Sequence, residues 1–204
     1  MIYYDSPNPA PNPRRVRIFA AEKGITLETE TVSIMAREQK SADFLAINPR
    51  GQTPALKLDD GTVVAESVSI CRYLEALHQD PPLFGTTPLE IATIDMWIRR
   101  IELVLMAPVG AIWVNNHPFT AKVVPERFPD YGDSCRPKVD AAMAMCDDAL
   151  AQTRFIAGDS YSMADIILLT TIDFAAFIGL PMPDAMTNLR EWHASVSGRP
   201  SASA

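Results

Sequence analysis

A chain of 204 residues, 48% hydrophobic and 21% charged, has the balance of an ordinary globular protein, long enough for one domain or two small ones. Its formal net charge of -7 argues against broad nucleic-acid binding, and its longest apolar run, Ile166-Ile167-Leu168-Leu169, is far short of a membrane span. Cys71, Cys135 and Cys146 and the separated His78, His117 and His193 have neither disulfide-framework nor metal-site spacing, so the chain reads as a cytoplasmic protein with reduced thiols, no signal peptide and no metal.

Ile2-Tyr3-Tyr4-Asp5 reads as a short strand, followed by a loop carrying Pro7, Pro9, Pro11 and Pro13. Asn12-Pro13 looks like the N-cap and first position of a helix that runs through Val16 and Phe19 to Gly24. Arg14, Arg15 and Arg17 on it read as a solvated basic face. Residues 27–32 are rich in Thr and Val and read as a second strand. Residues 37–46 carry a weak helical pattern that stops before Asn48-Pro49. Residues 55–58 and 62–65 flank the turn signal Asp59-Asp60-Gly61 as a hairpin, and Glu66 to Leu77 carries an apolar helical face at Val68, Cys71, Leu74 and Leu77. The order βαβαββα requires the first two strands to be parallel, through a right-handed crossover, and the last two to be antiparallel.

Pro81, Pro82, Gly85 and Pro88 break both periodicities, so residues 80–88 read as a linker between a domain over 1–79 and a second over 89–204. The second carries no convincing strand. Its helices are expected from Leu89 to about Val114 with a kink at Pro108, from Asp133 to Gln152, from Met163 to Phe177, and from Asn188 to Val196. Ser162-Met163-Ala164-Asp165 is a capping-box start. Pro200 to Ala204 are expected to fray. The fold class is therefore α/β followed by all-α, the first half thioredoxin-like and the second helical.

The most restrictive segment is Gln52-Thr53-Pro54-Ala55-Leu56, followed by Glu66-Ser67. Proline cannot donate to a sheet ladder, so Pro54 belongs at an edge or at a special backbone geometry. If the Thr53–Pro54 bond is cis, Thr53 turns its N–H and C=O outward, where an extended peptide can pair with them. The helix start at Ser67 offers free N–H groups to a carboxylate, and Glu66 offers a carboxylate to an ammonium. Together these features outline a site for glutathione.

The order of these elements, with Asn48-Pro49-Arg50-Gly51-Gln52-Thr53-Pro54-Ala55-Leu56, Glu66-Ser67 and Ser162-x-x-Asp165, resembles the cytosolic glutathione transferases over nearly the whole chain. Tyr4-Asp5-Ser6-Pro7 and Ala10-Pro11-Asn12-Pro13-Arg14-Arg15-Val16-Arg17-Ile18-Phe19 are similar to an atypical bacterial and fungal subgroup like the second yeast glutathione transferase. The resemblance implies that Thr53, before the cis Pro54, pairs its backbone with the cysteinyl part of glutathione. It also implies that Glu66 and Ser67 hold the γ-glutamyl amine and carboxylate, that Gln52 sits beside them, and that Lys40 approaches the glycyl carboxylate. It implies a homodimer and a small hydrophobic electrophile as second substrate, in a detoxifying or catabolic role.

Thiol activation is less legible. Ala10 stands where related families place a Cys, and Ala10-Pro11-Asn12-Pro13 occupies the C-x-x-C position of thioredoxins, so disulfide exchange by that route is excluded. Ser6 offers a hydroxyl to sulfur, and Asn12 stands at a helix start that favours an anion. The resemblance also brings in His117, since in the subgroup a water held by Ser and His of the helical half takes the place of the missing residue. Three other readings stay open: a glutathione-dependent dehalogenase, etherase or isomerase; a non-enzymatic scaffold; and a carrier of hydrophobic ligands.

Overall fold

Strand β1 (Ile2–Asp5) lies inside a four-stranded sheet of order β2-β1-β3-β4, with β2 at Glu28–Thr31, β3 at Ala55–Lys57 and β4 at Val63–Ala65. The computed structural model describes all residues from 1 to 204. β2 runs parallel to β1, pairing Ile2 with Glu28, whereas β3 and β4 are antiparallel neighbours. The parallel pair is joined by α1 (Pro11–Glu22), and the remaining helices of this half are α2 (Ala42–Ile47) and α3 (Ser67–Leu77). Tyr3, Val16, Ile18, Phe19, Leu56, Ile70 and Leu74 form a fully buried core between sheet and helices. The thioredoxin-like topology expected from the sequence is thus the one observed.

The chain divides into two units, Met1–Leu83 together with Arg199–Ala204, and Phe84–Gly198. The second unit is helical: α4 (Pro88–Arg100), α5 (Ala107–Asn116), α6 (Pro129–Ser134), α7 (Arg136–Leu150), α8 (Met163–Phe177) and α9 (Thr187–Ser197). Thr87 starts α4 in a reciprocal capping box with Glu90, so Pro88 is the first residue of a helix rather than the last of a linker. The irregularity expected at Pro108 takes the form of a widened turn. Residues Ile101–Met106 form a π-helical turn that joins α4 to α5. Proline has no N–H for the carbonyl four residues earlier, and a wider turn just before it absorbs that mismatch.

Three further expectations are corrected. Helix α1 begins at Pro11 with Ala10 at the cap position, not at Asn12-Pro13. Its basic cluster is not a solvated face: Arg14 donates to the Ala202 carbonyl at 3.0 Å, Arg15 is buried, and Arg17 holds Asp5 at 2.6 Å and the Ser6 carbonyl at 3.1 Å. The tail does not fray. Arg199 donates twice to Glu22 at 2.8 and 2.6 Å, Ser201 donates to the same carboxylate, and Ser201 and Ala202 are buried against the first unit. The last two outcomes have one cause: arginines that look solvated in the sequence find partners elsewhere in the fold.

Lys23 is a comparable tether. Its ammonium is fully buried, donates to the carbonyls of His78 and Pro81 at 2.7 and 2.6 Å, and pairs with Glu75 at 2.7 Å. In the second unit, the buried Asp165 carboxylate accepts from the Ile156 and Ser162 N–H groups, the Ser162 hydroxyl and the Trp192 indole, all at 3.0 Å. It therefore ties the start of α8 to α9.

Two predictions follow from these ties. Burial raises the Glu22 carboxyl, but the bonds from Arg199 and Ser201 outweigh it and hold the group below its ordinary value. A depressed carboxylate stabilises the fold above its ordinary pKa and loses that contribution as pH falls through the folded value. Hydrogen exchange of residues 199–204 should lose protection below about pH 4.5, and Glu22→Gln should lose it already at pH 7. For Asp165, burial pushes the carboxyl up to about 6 against its four donors. Ionisation of that group opposes folding, so its cost is eased as pH falls below 6 towards the ordinary aspartate value. Asp165→Asn should cost about 3 kcal/mol, because an amide nitrogen cannot accept from those donors. It should also remove a component of about 1 kcal/mol that favours pH 5 over pH 7 in the parent, read by chemical unfolding at both pH values.

Candidate functional site

The first unit brings most of the residues singled out in the sequence to the ends of β3 and α3. The Thr53–Pro54 bond is cis. Thr53 precedes β3, and neither its N–H nor its carbonyl bonds within the chain. Asn48 fixes the approach: its amide donates to the Gln52 carbonyl at 2.7 Å, and its side-chain oxygen accepts from the Arg50 N–H at 3.2 Å. Gly51 has φ +57°, and a Cβ there would come within 2.8 Å of the Lys40 ammonium. The absent side chain lets Lys40 reach over and donate to the Arg50 carbonyl at 3.1 Å.

β4 ends at Ala65, and Glu66 turns the chain into α3 with φ +69°. A non-glycine residue in that region is rare and costs about 1 kcal/mol or more. Its carboxylate is exposed, 3.9 Å from Arg50 Nε, which in turn donates to Gln52 at 3.1 Å. That pair is open to solvent and contributes little stability. Ser67, the first residue of α3, is buried, and the cap position offers no side-chain bond to the first turn. The N–H groups at this helix start are therefore available to an anion.

Arg15 is the residue that sequence reasoning missed. It is 2% exposed, and its guanidinium donates to the Ser67 hydroxyl at 3.4 Å. Arg14, Arg15 and Arg17 look alike in the sequence, and only their position on α1 separates the one that meets Ser67 from two tethers. The Arg15 position five residues after Ala10, facing the buried side of a helix, was the available signal.

The candidates for thiol chemistry divide differently. Ser6 is completely buried and donates its one proton to the Val32 carbonyl at 2.8 Å. The Thr53 hydroxyl, 2.7 Å from Ser6 Oγ, must therefore be the donor in that contact. Ser6 has no proton left for a sulfur, which corrects the expectation that it acts as a donor. Asn12 is half-buried in the first turn of α1. Pro11 and Pro13 on either side lack N–H groups, so Asn12 supplies the free backbone donor of that turn.

His117 stands in the second unit, at the C-terminal end of α5. Its ring stacks 4.4 Å from Trp113 and 6.0 Å from Phe177, and its Nδ1 accepts from the Phe119 N–H at 3.2 Å. Trp113 also packs against Phe119 at 5.6 Å and the buried Phe174 at 5.4 Å.

Comparison with known proteins agrees with this architecture. Residues 10–77 match the glutathione S-transferase N-terminal domain family, and residues 96–195 match the corresponding C-terminal domain family. Glutathione S-transferase 2 of Saccharomyces cerevisiae is 38% identical over 207 aligned residues, covering 98% of this chain and 87% of the yeast protein. The crystal structure of Gtt2 from Saccharomyces cerevisiae superposes with a TM-score of 0.94 at 37% identity, covering 100% of this chain and 99% of that one. A class Gtt2 glutathione S-transferase of Vibrio parahaemolyticus superposes at 0.84 with 29% identity, covering 98% and 94%. Both halves of the chain, in this order and over nearly their full length, belong to the glutathione S-transferase family.

Proposed function

We propose that the protein is a glutathione transferase that binds reduced glutathione on its first unit and promotes attack of the thiolate on a small hydrophobic electrophile. One observation carries the reading: an exposed carboxylate held at positive φ stands next to a buried hydroxyl at an uncapped helix start, with a buried guanidinium behind it. An α-amino-acid head group carries an ammonium and a carboxylate side by side. Glu66 takes the first; Ser67, the α3 N–H groups and Arg15 take the second. The free Thr53 backbone takes the cysteinyl peptide unit, with Pro54 and Gln52 flanking it, and Lys40 faces the glycyl carboxylate.

The cysteinyl sulfur then lies towards the start of α1. A thiol with a pKa near 8.5 is mostly protonated at neutral pH. We assign its activation to the Asn12 N–H and the positive end of α1, since Ala10 brings no polar group and Ser6 has no proton to give. The thiol proton leaves to solvent, the sulfur pair forms the S–C bond as a leaving group departs with its bonding pair or the π pair of an activated double bond shifts away and is protonated, and the protein forms no covalent bond. Binding both reactants in register supplies much of the acceleration.

A homodimer is part of the same reading. Leu89, Met96 and Leu103 recur at seven-residue spacing along α4 and its π turn, and all three are exposed. That stripe supports a second copy as its cover. The net charge, the buried cysteines and the absence of any helix long and apolar enough to cross a membrane are compatible with a cytoplasmic detoxifying enzyme.

Calorimetric titration with reduced glutathione tests the reading. One site per chain is expected, and no heat at millimolar glutathione would overturn it. Ser67→Ala should weaken that affinity by about 1.5–3 kcal/mol, the value of a hydrogen bond to a charged group. Glu66→Gly separates strain from function. It should leave unfolding free energy within about 1 kcal/mol of the parent, since glycine accepts φ +69° without steric cost. Glutathione affinity should nevertheless fall about tenfold or more with loss of the carboxylate; unchanged affinity would take Glu66 out of the site.

A further inference from the structure

The aromatic group at the ends of α5 and α8 has a polar feature that its ring contacts do not explain. Trp113 lies 4.4–6.2 Å by ring centroid from His117, Phe119, Phe174 and Phe177, and Phe177 in turn lies 6.0 Å from His117 and 6.2 Å from Phe174. Such clusters are usually closed cores, yet Phe177 is 52% exposed and Trp113 and His117 are half-buried. Phe174, by contrast, is buried.

His117 is fixed in this group from two sides. Its carbonyl accepts from the Arg127 guanidinium at 3.0 Å and lies 2.7 Å from the Thr120 hydroxyl. Its Nδ1 accepts the Phe119 N–H, so that nitrogen carries the lone pair. In the neutral ring the proton must then sit on Nε2. Nε2 has no partner within the chain. The result is an N–H donor with no partner in the chain, beside half-exposed and exposed rings. A general base at Nε2 would need the lone pair that this tautomer lacks.

We propose that Trp113, His117 and Phe177 form a binding surface for flat aromatic compounds that carry a hydrogen-bond acceptor, with His117 Nε2–H as the donor that selects the acceptor. The inference rests on the reading that the helical unit receives the electrophilic co-substrate, and it specifies which compounds that unit prefers. A flat ring gains offset stacking on Trp113 and Phe177. A nitro or carbonyl oxygen on the ring satisfies the waiting N–H, whereas an alkyl group of similar size leaves that donor desolvated and unpaired. The penalty for such a mismatch makes the donor discriminating.

The test uses the full chain and two unreactive probes of one ring shape, 1-nitronaphthalene and 1-methylnaphthalene, measured by equilibrium dialysis and corrected for their partition between water and octanol. The parent should prefer the nitro compound by about threefold to tenfold, the range of one net hydrogen bond. His117→Phe keeps the ring stack and removes the donor; it should bind the methyl compound as before and lose the preference. Phe177→Ala should weaken both probes. Long-range proton–nitrogen correlation of the histidine rings should show Nε2 protonated in the signal that His117→Phe removes. Equal affinities in the parent, no binding of either probe, an unchanged preference in His117→Phe, or an Nδ1-protonated ring would each overturn the proposal. Glutathione calorimetry on the same preparation separates the two readings. Normal glutathione binding without the preference removes only this surface, whereas the preference without glutathione binding removes the transferase reading and leaves the surface standing.

Discussion

Two helix starts in the first unit are left without a side-chain cap, and the candidate site is built on them. α2 is capped by Ser41, but Ala10 before α1 and Glu66 before α3 supply no bond to their first turns. A cap contributes about 1 kcal/mol, so each omission leaves stability unrealised and a positive helix end open. In α1, two prolines narrow the opening to the Asn12 N–H. In α3, the chain enters through a residue at positive φ, which swings Glu66 outward and leaves Ser67 at the helix start. A fold that satisfied these ends internally would have nothing to offer a zwitterion or a thiolate.

The rest of the first unit holds those ends still. Arg17 fixes the loop before α1 through Asp5, Ser6 and Asn8. Ser6 is committed to Val32 and Thr53, which ties that loop to the segment presenting the free Thr53 backbone. Arg199 and Ser201 clamp Glu22 at the far end of the same helix, and Lys23 holds the residues after α3. Most of these ties include a charged side chain that is buried or half-buried. Breaking one leaves an uncompensated charge, which is more costly than the pair is stabilising.

The second unit uses a different economy. Its most buried tie is a carboxylate, Asp165, whose four donors come from the loop before α8, the start of α8 and the side of α9.

Local chemistry was legible in the sequence. The order of elements, the parallel and antiparallel pairings, the hairpin turn, the capping box at Ser162 and the Glu66-Ser67 junction follow from periodicity, turn residues and spacing, which act over a few residues. Tertiary structure decided what depends on partners far along the chain. Ser6 meets Val32 across 26 positions, Arg15 meets Ser67 across 52, and Arg199 meets Glu22 across 177. Hence the hydroxyl expected to donate to sulfur had its proton taken, one of three similar arginines came to meet the Ser67 hydroxyl, and a tail expected to fray became a clamp. The His117 tautomer was hidden for a related reason: the donor, Phe119, is only two residues away, but its N–H reaches Nδ1 only because the chain leaves α5 in an extended conformation. A sequence specifies which donors and acceptors exist; the folded chain decides which of them are already spent.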